Sequence, residues 1–144
     1  MIFSAIFKFL LYTLIIEIEV CSVSKIEIKR RSAMIFIVED VKKWEDLLVG
    51  RTREAFPDEE IVVARSVGDL ERILTSDQKF MAVALDGWLG KDSTLRFIPT
   101  LLEKSQWVIS TSQDFCMRID MISVGCHAGG NKWDFVQILQ VLSP

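Results

Sequence analysis

Four short stretches of the chain are apolar with little interruption, and each stops abruptly at polar residues. MIFIV (34–38) ends at Glu39 and Asp40, and IVVA (61–64) ends at Arg65 and Ser66. MAVAL (81–85) ends at Asp86, and WVIS (107–110) ends at Thr111 and Ser112. Continuous apolar runs of this length suit parallel strands that are covered on both faces. Between them the spacing turns helical. Trp44, Leu47 and Leu48 share one side of a segment that closes near Phe56, before Pro57. Ser66 and Asp69 form an S-x-x-D start signal for a helix carrying Leu70, Ile73 and Leu74. Pro99 lies within TLRFIPTLLEK, so the next helix begins there or kinks there. Phe115, Ile119 and Ile122 mark a helix that ends at Gly125, and Phe135, Ile138, Leu139 and Leu142 mark the last one. A fifth strand is expected between Ala128 and Asn131, although AGGN is a weak strand former. Strand alternating with helix predicts an α/β fold, a doubly wound five-stranded parallel sheet spanning 34–144.

Residues 1–33 follow a different pattern. Ile2 to Ile16 is apolar apart from Ser4, Lys8 and Thr13, which is shorter than the roughly twenty residues a spanning helix needs. No small-x-small cleavage site follows, and from Ile16 the pattern alternates as a strand does. Three readings stand: a membrane anchor with KIEIKRR on the cytoplasmic side, an extra hairpin, or translated upstream sequence with the true start at Met34. The third is favoured, because a compact domain begins at Met34 without help from what precedes it. Membrane contact is expected only through this segment.

Charge is spread unevenly. Residues 1–33 hold five Lys or Arg against three Glu, a balance of +2, while the remainder holds twelve against seventeen, a balance of −5. An acidic domain of this size lacks the clustered cations that phosphate contacts require, so no nucleic-acid partner is expected. Cys21, Cys116 and Cys126 have no paired spacing, and His127 completes no zinc pattern with them. Reduced thiols in the cytoplasm and a surface histidine are the plain readings.

In open α/β sheets, ligands sit outside the carboxyl ends of the strands. That rule selects Glu39, Asp40, Asp86, Thr111 and the loop before Trp133. Each is ordinary alone: an acidic pair after a strand is usually a solvated loop, Thr111 a capping hydroxyl, Lys132 a surface lysine. Together they differ. Two carboxylates about 4 Å apart repel by roughly 4 kcal/mol at an effective dielectric near 20, so three need a cation. Mg²⁺ favours carboxylate oxygens, waters and a substrate phosphate. Carboxylate nucleophile and metal together meet the needs of phosphoryl transfer, with Lys132 and the Thr111 hydroxyl as further phosphate contacts.

The same segments resemble response-regulator receiver domains. IFIVEDVKKWEDLL resembles the family's first strand with its acidic pair, and AVALDGWLG the strand bearing the phosphorylated aspartate. VISTS is similar to the strand that ends in the switch Thr or Ser. VGCHAGGNKW resembles the family's glycine-alanine-to-lysine-proline segment, with Gly125 seven residues before Lys132. The resemblance implies a flavodoxin-like sheet of strand order 2-1-3-4-5. It implies Mg²⁺ held by Glu39, Asp40, Asp86 and the backbone carbonyl of Trp88, with Asp86 as phosphoacceptor and Thr111 and Lys132 responding to the phosphate. It further implies a stand-alone domain in a two-component phosphorelay, with a histidine kinase or phosphotransfer protein as donor and a downstream protein as target. The chain departs from the pattern at Trp133, where the family has proline, at Gly129, where it keeps an aromatic, and at Gly90, where proline is frequent. Asp86 to Thr111 is also short. These departures favour the alternative, a receiver-like interaction module without phosphotransfer. A Mg²⁺-dependent hydrolase is disfavoured, because no second acid or histidine is placed as general base.

Overall fold

A computed structural model describes residues 33–144. The expectations for the preceding segment, whether anchor, hairpin or upstream sequence, lie outside the described residues. In chain order the strands are β1 (Met34–Val38), β2 (Glu60–Ala64), β3 (Phe80–Leu85), β4 (Trp88–Leu89), β5 (Asp92–Ser93), β6 (Ser105–Ser110) and β7 (Ala128–Gly129). The helices are α1 (Lys42–Ala55), α2 (Val67–Leu74), α3 (Ile98–Lys104), α4 (Phe115–Val124) and α5 (Phe135–Leu142). Five strands make one parallel sheet in the order β2-β1-β3-β6-β7, which is the expected 2-1-3-4-5 once the β4–β5 hairpin is set aside.

The uninterrupted apolar runs are explained by burial on both faces. Alternate residues of a strand point to opposite sides. Ile35 and Ile37 of β1 pack with Ala82, Ala84, Leu48 of α1, and Phe135 and Leu139 of α5. Phe36 and Val38 pack the other way, with Leu70, Ile98, Leu101, Met117 and Met121. Phe36 stacks on Phe80 at 4.7 Å between ring centroids. Truncating a fully buried phenylalanine such as Phe36 costs about 3–5 kcal/mol.

Local signals act as the sequence predicts in several places. Ser66 Oγ accepts the Asp69 N–H at 3.1 Å, and Asp69 Oδ2 accepts the Arg65 N–H at 3.1 Å, which fixes the start of α2. Pro99 falls in the first turn of α3, where its missing N–H costs nothing, after a 3-10 turn at Leu95–Phe97. The helix therefore starts at the proline and is not kinked by it. The expected fifth strand shrinks to Ala128–Gly129, paired with Ile109 and Ser110.

One helix turns its marker residues outward. The helix at 115–124 forms, but Phe115, Ile119 and Ile122 are exposed, Phe115 to 67%. Met117 and Met121 are the buried contacts, on another side of the same helix. The three apolar residues at helical spacing mark the element, while its inward side is formed by the two methionines. No helix among the described residues is long and apolar enough to cross a membrane.

Candidate functional site

The carboxyl rim of the sheet is pinned by backbone ladder bonds that continue one residue past each strand. The Glu39 N–H donates to the Ala64 carbonyl (3.0 Å), the Asp86 N–H to Val38 (3.1 Å), and the Thr111 N–H to Leu85 (2.9 Å). Strand order thus brings residues far apart in sequence to one edge. Glu39, Asp40 and Asp86 each place a carboxylate oxygen within 4.8 Å of the others. Glu39 is fully buried, Asp86 is partly buried and Asp40 is exposed.

Each carboxylate has one oxygen engaged by a backbone amide. Glu39 Oε1 accepts from Val41 N (3.0 Å), Asp86 Oδ1 from Gly87 N (2.8 Å), and Asp40 Oδ2 from Gly90 N (2.7 Å). Lys132 is only 3% exposed. Its Nζ donates to Glu39 Oε2 and lies 3.4 Å from Asp86 Oδ2. A buried lysine held by two carboxylates is satisfied, whereas three carboxylates served by one ammonium remain two charges short of neutrality. Burial pushes the Asp86 carboxyl up to about 6; nearby Lys132 opposes this and nearby Glu39 adds to it.

Thr111 sits on the adjoining strand end, fully buried, and its Oγ1 has no hydrogen-bond partner. A buried hydroxyl without a partner costs about 1–3 kcal/mol, so it marks a place where an acceptor can be received. Trp88 opens the β4–β5 hairpin, two residues after Asp86, with its side chain exposed. Gly129 adjoins Arg118 and Ile122: a Cβ there would lie 2.9 Å from Arg118 Cγ. Helix α4 therefore covers the position where the resembling family keeps an aromatic ring. His127 is exposed, and its Nδ1 accepts the Val108 N–H at 3.0 Å, away from the acidic residues in role.

Several contributors escaped the sequence reading. Thr94 is fully buried and braces the acceptor loop: its Oγ1 donates to the Asp86 carbonyl (2.6 Å) and its N–H to the Gly87 carbonyl (2.9 Å). Gly90 turns the two-residue hairpin with φ +60, which glycine adopts freely, and so presents its N–H to Asp40. The Gly-Lys pair at 90–91 was the available signal for that turn. Gly87 is required by close approach, since a Cβ there would lie 2.2 Å from Met117 Cγ.

The arrangement offers oxygen donors in a tight group, a fixed ammonium and an orphan hydroxyl. Oxygen-only donors with excess negative charge fit a hard divalent cation such as Mg²⁺. No protein-family model matches the sequence, and no curated protein matches it. Solved structures match the fold. The signal receiver domain of a DNA-binding response regulator (merR) from Colwellia psychrerythraea has a TM-score of 0.63 at 19% identity, over 76% of this chain and 94% of that one. The beryllofluoride-activated receiver domain of DrrB, a Thermotoga maritima protein, has a TM-score of 0.60 at 17% identity, over 76% and 92%. A Burkholderia pseudomallei response regulator with a phosphorylated aspartic acid and a calcium ion has a TM-score of 0.59 at 13% identity, over 78% and 75%.

The chain has the receiver fold. In receiver-fold terms the four charged residues Glu39, Asp40, Asp86 and Lys132 lie together at the open rim. The resemblance read from scattered motifs and the sheet order found in the structure agree.

Proposed function

We propose that this receiver-fold domain accepts a phosphoryl group on Asp86 in two-component signalling, with Mg²⁺ held by Glu39, Asp40, Asp86 and the Trp88 carbonyl. The observation that carries the reading is the placement of buried Lys132 against Glu39 and Asp86, with Asp40 completing the carboxylate group. A buried lysine placed this way leaves one cation among three anions, a balance suited to receiving a metal and a phosphate together.

In the proposed reaction an Asp86 carboxylate oxygen attacks the phosphorus of a phosphohistidine. The new O–P bond forms as the P–N bond breaks, and the departing imidazole nitrogen keeps the electron pair and takes up a proton. Mg²⁺ supplies charge neutralisation for the phosphoryl oxygens. Lys132 would shift a charge-assisted hydrogen bond to one phosphoryl oxygen, and Thr111 Oγ1 would donate to another. Gly87 N and Thr94 hold the Asp86 loop so that attack needs little reorganisation. The proposed donor is a histidine kinase or phosphotransfer protein, the proposed output a downstream protein target, and the proposed location cytoplasmic.

Incubation with Mg²⁺ and acetyl phosphate should add the mass of one phosphate to the intact protein, and Asp86→Asn should remove that gain entirely. No adduct on the folded wild type, or an adduct that survives Asp86→Asn, contradicts the proposal.

A second reading has its own support. The cover of Arg118 and Ile122 over Gly129 leaves no room for an aromatic relay, as in an interaction module that keeps the fold without turnover. Trp88 and Trp133 fluorescence should respond to beryllofluoride with Mg²⁺ under the first reading and stay flat under the second.

A further inference from the structure

Lys132 occupies a three-residue 3-10 turn, Lys132–Asp134, at the end of a glycine-rich loop. A lysine stem is long and flexible, and its turn is restrained on one side by α5, which follows directly at Phe135. Something must fix the backbone at 132 if the ammonium is to stay buried between two carboxylates. Part of the restraint is local: Asn131 and Asp134 cap one another's backbone amides, and Phe135 is buried.

A further restraint comes from α1. The Trp133 ring meets Trp44 edge-on, with centroids 6.2 Å apart at 87°. The Arg51 guanidinium lies 5.0 Å from the Trp133 ring centroid, and its Nη1 donates to the Trp133 carbonyl at 3.2 Å. The peptide before Trp133 is trans, as are all described peptides, so no cis bond shapes this turn. Trp133 is 48% exposed. The covered half of the ring lies against Trp44 and Arg51 of α1, directly beside Lys132 in the chain. Helix α1 begins two residues after Asp40 and therefore ties the acidic pair to the lysine turn.

We infer that Trp133, clasped between Trp44 and Arg51, is a positioning residue that holds the Lys132 ammonium on Glu39 and Asp86. The geometry stands by itself; the consequence for phosphate recognition rests on the phosphoryl-acceptor reading. Loss of the clasp frees the turn, and Lys132 spends part of its time in solvent, away from where a phosphoryl oxygen would arrive.

The test labels lysines of the full chain by reductive methylation and follows each site by peptide mass spectrometry. In the wild type Lys132 should react far more slowly than exposed Lys43 and Lys91. Trp133→Ala should raise the Lys132 rate about tenfold, Arg51→Ala by a smaller factor, and Trp133→Phe, which keeps a ring for both neighbours, should restore protection. Lys104, whose Nζ donates to the Ser76 carbonyl at 2.6 Å, serves as the control for general opening and should not change. Arg51 is exposed, so Arg51→Ala carries the test even if Trp133→Ala fails to fold. An unchanged Lys132 rate in the folded variants, or a rise shared by Lys104, overturns the inference. The consequence is read separately. With Mg²⁺ present, Trp133→Ala should weaken beryllofluoride binding about tenfold, and should weaken it no further in a Lys132→Ala background. Full additivity of the two substitutions overturns the positioning role. A wild type that binds no beryllofluoride counts against the phosphoryl-acceptor reading, while the labelling rates still decide the clasp.

Discussion

On the β1–β3 side of the rim, Glu39, Asp40 and Asp86 each have a backbone amide donor, and Lys132 bridges two of them. On the β6–β7 side, Thr111 Oγ1 and Arg118 Nε are buried without a partner, and Gly129 is overlaid by α4 side chains. The first half is built of fixed groups. The second half holds polar atoms whose partners are still to be made. That contrast teaches how one edge of a sheet can hold its charged groups in place while the neighbouring edge leaves buried polar atoms without a partner. Backbone amides place the carboxylates and depend little on side-chain identity, whereas a relay between β6 and β7 depends on which side chains fill one small space.

The sharpest way to break the comparison is to remove the cation of the ordered half. Lys132→Met leaves Glu39 buried beside Asp86 with no ammonium, and should cost about 3 kcal/mol of stability in chelator. Added Mg²⁺ should recover part of that loss, because it binds the folded state more tightly once its competitor is gone. Urea melts with and without Mg²⁺ measure both effects. A loss below the error of the melt would mean that the ordered half is not held by charge pairing.

Thr111→Val should act with the opposite sign. It removes an unpaired hydroxyl at constant shape, so stability should rise by about 1 kcal/mol. Beryllofluoride affinity should fall in the same variant. A stability loss would mean that the hydroxyl already has a partner in solution. Gly129→Ala should destabilise by about 1 kcal/mol by driving a methyl against Arg118, and Arg118→Ala in the same chain should relieve it. Additive costs in that pair would show that α4 does not crowd β7.

Glu45 offers the smallest test, away from the proposed chemistry. Its buried carboxylate accepts from Arg65 Nε (2.7 Å) and Nη2 (2.6 Å), and these bonds hold its pKa below the ordinary glutamate value of 4.5. A depressed folded pKa gives stability that is present above the unfolded value and lost as pH falls through the folded one. The melting temperature should therefore drop on acidification below pH 4.5 in the wild type. Arg65→Ala should melt lower at neutral pH and converge on the wild type as pH falls. Parallel curves would assign the pair no role.

How much of this was legible varies with the physical range of the cause. The strands were legible because covered parallel strands must be apolar on both faces, and 34–38, 61–64, 81–85 and 107–110 are. Asp86 was legible because the rim follows directly from strand ends. The β4–β5 hairpin was not, since two-residue strands show no period. The burial of Glu45 was not legible either, because its partner Arg65 lies 20 residues away and no local pattern reveals it. The inward side of α4 was not legible: Phe115, Ile119 and Ile122 mark the helix by their spacing, while the packing surface is set by what lies beneath, through Met117 and Met121. Thr94 carried no signal, because its role is a bond to a backbone carbonyl that only the folded loop supplies.

In the proposed function residues 39, 40 and 86 form one cation site. Mn²⁺ takes the same oxygen donors as Mg²⁺ and broadens nearby amide NMR signals. Titrated into the labelled protein, it should erase the signals of Glu39, Asp40, Asp86 and Gly87 first, and Asp40→Asn should raise the concentration required. Broadening that starts at other acidic surfaces, such as Asp58 to Glu60, or that ignores Asp40→Asn, would contradict the account.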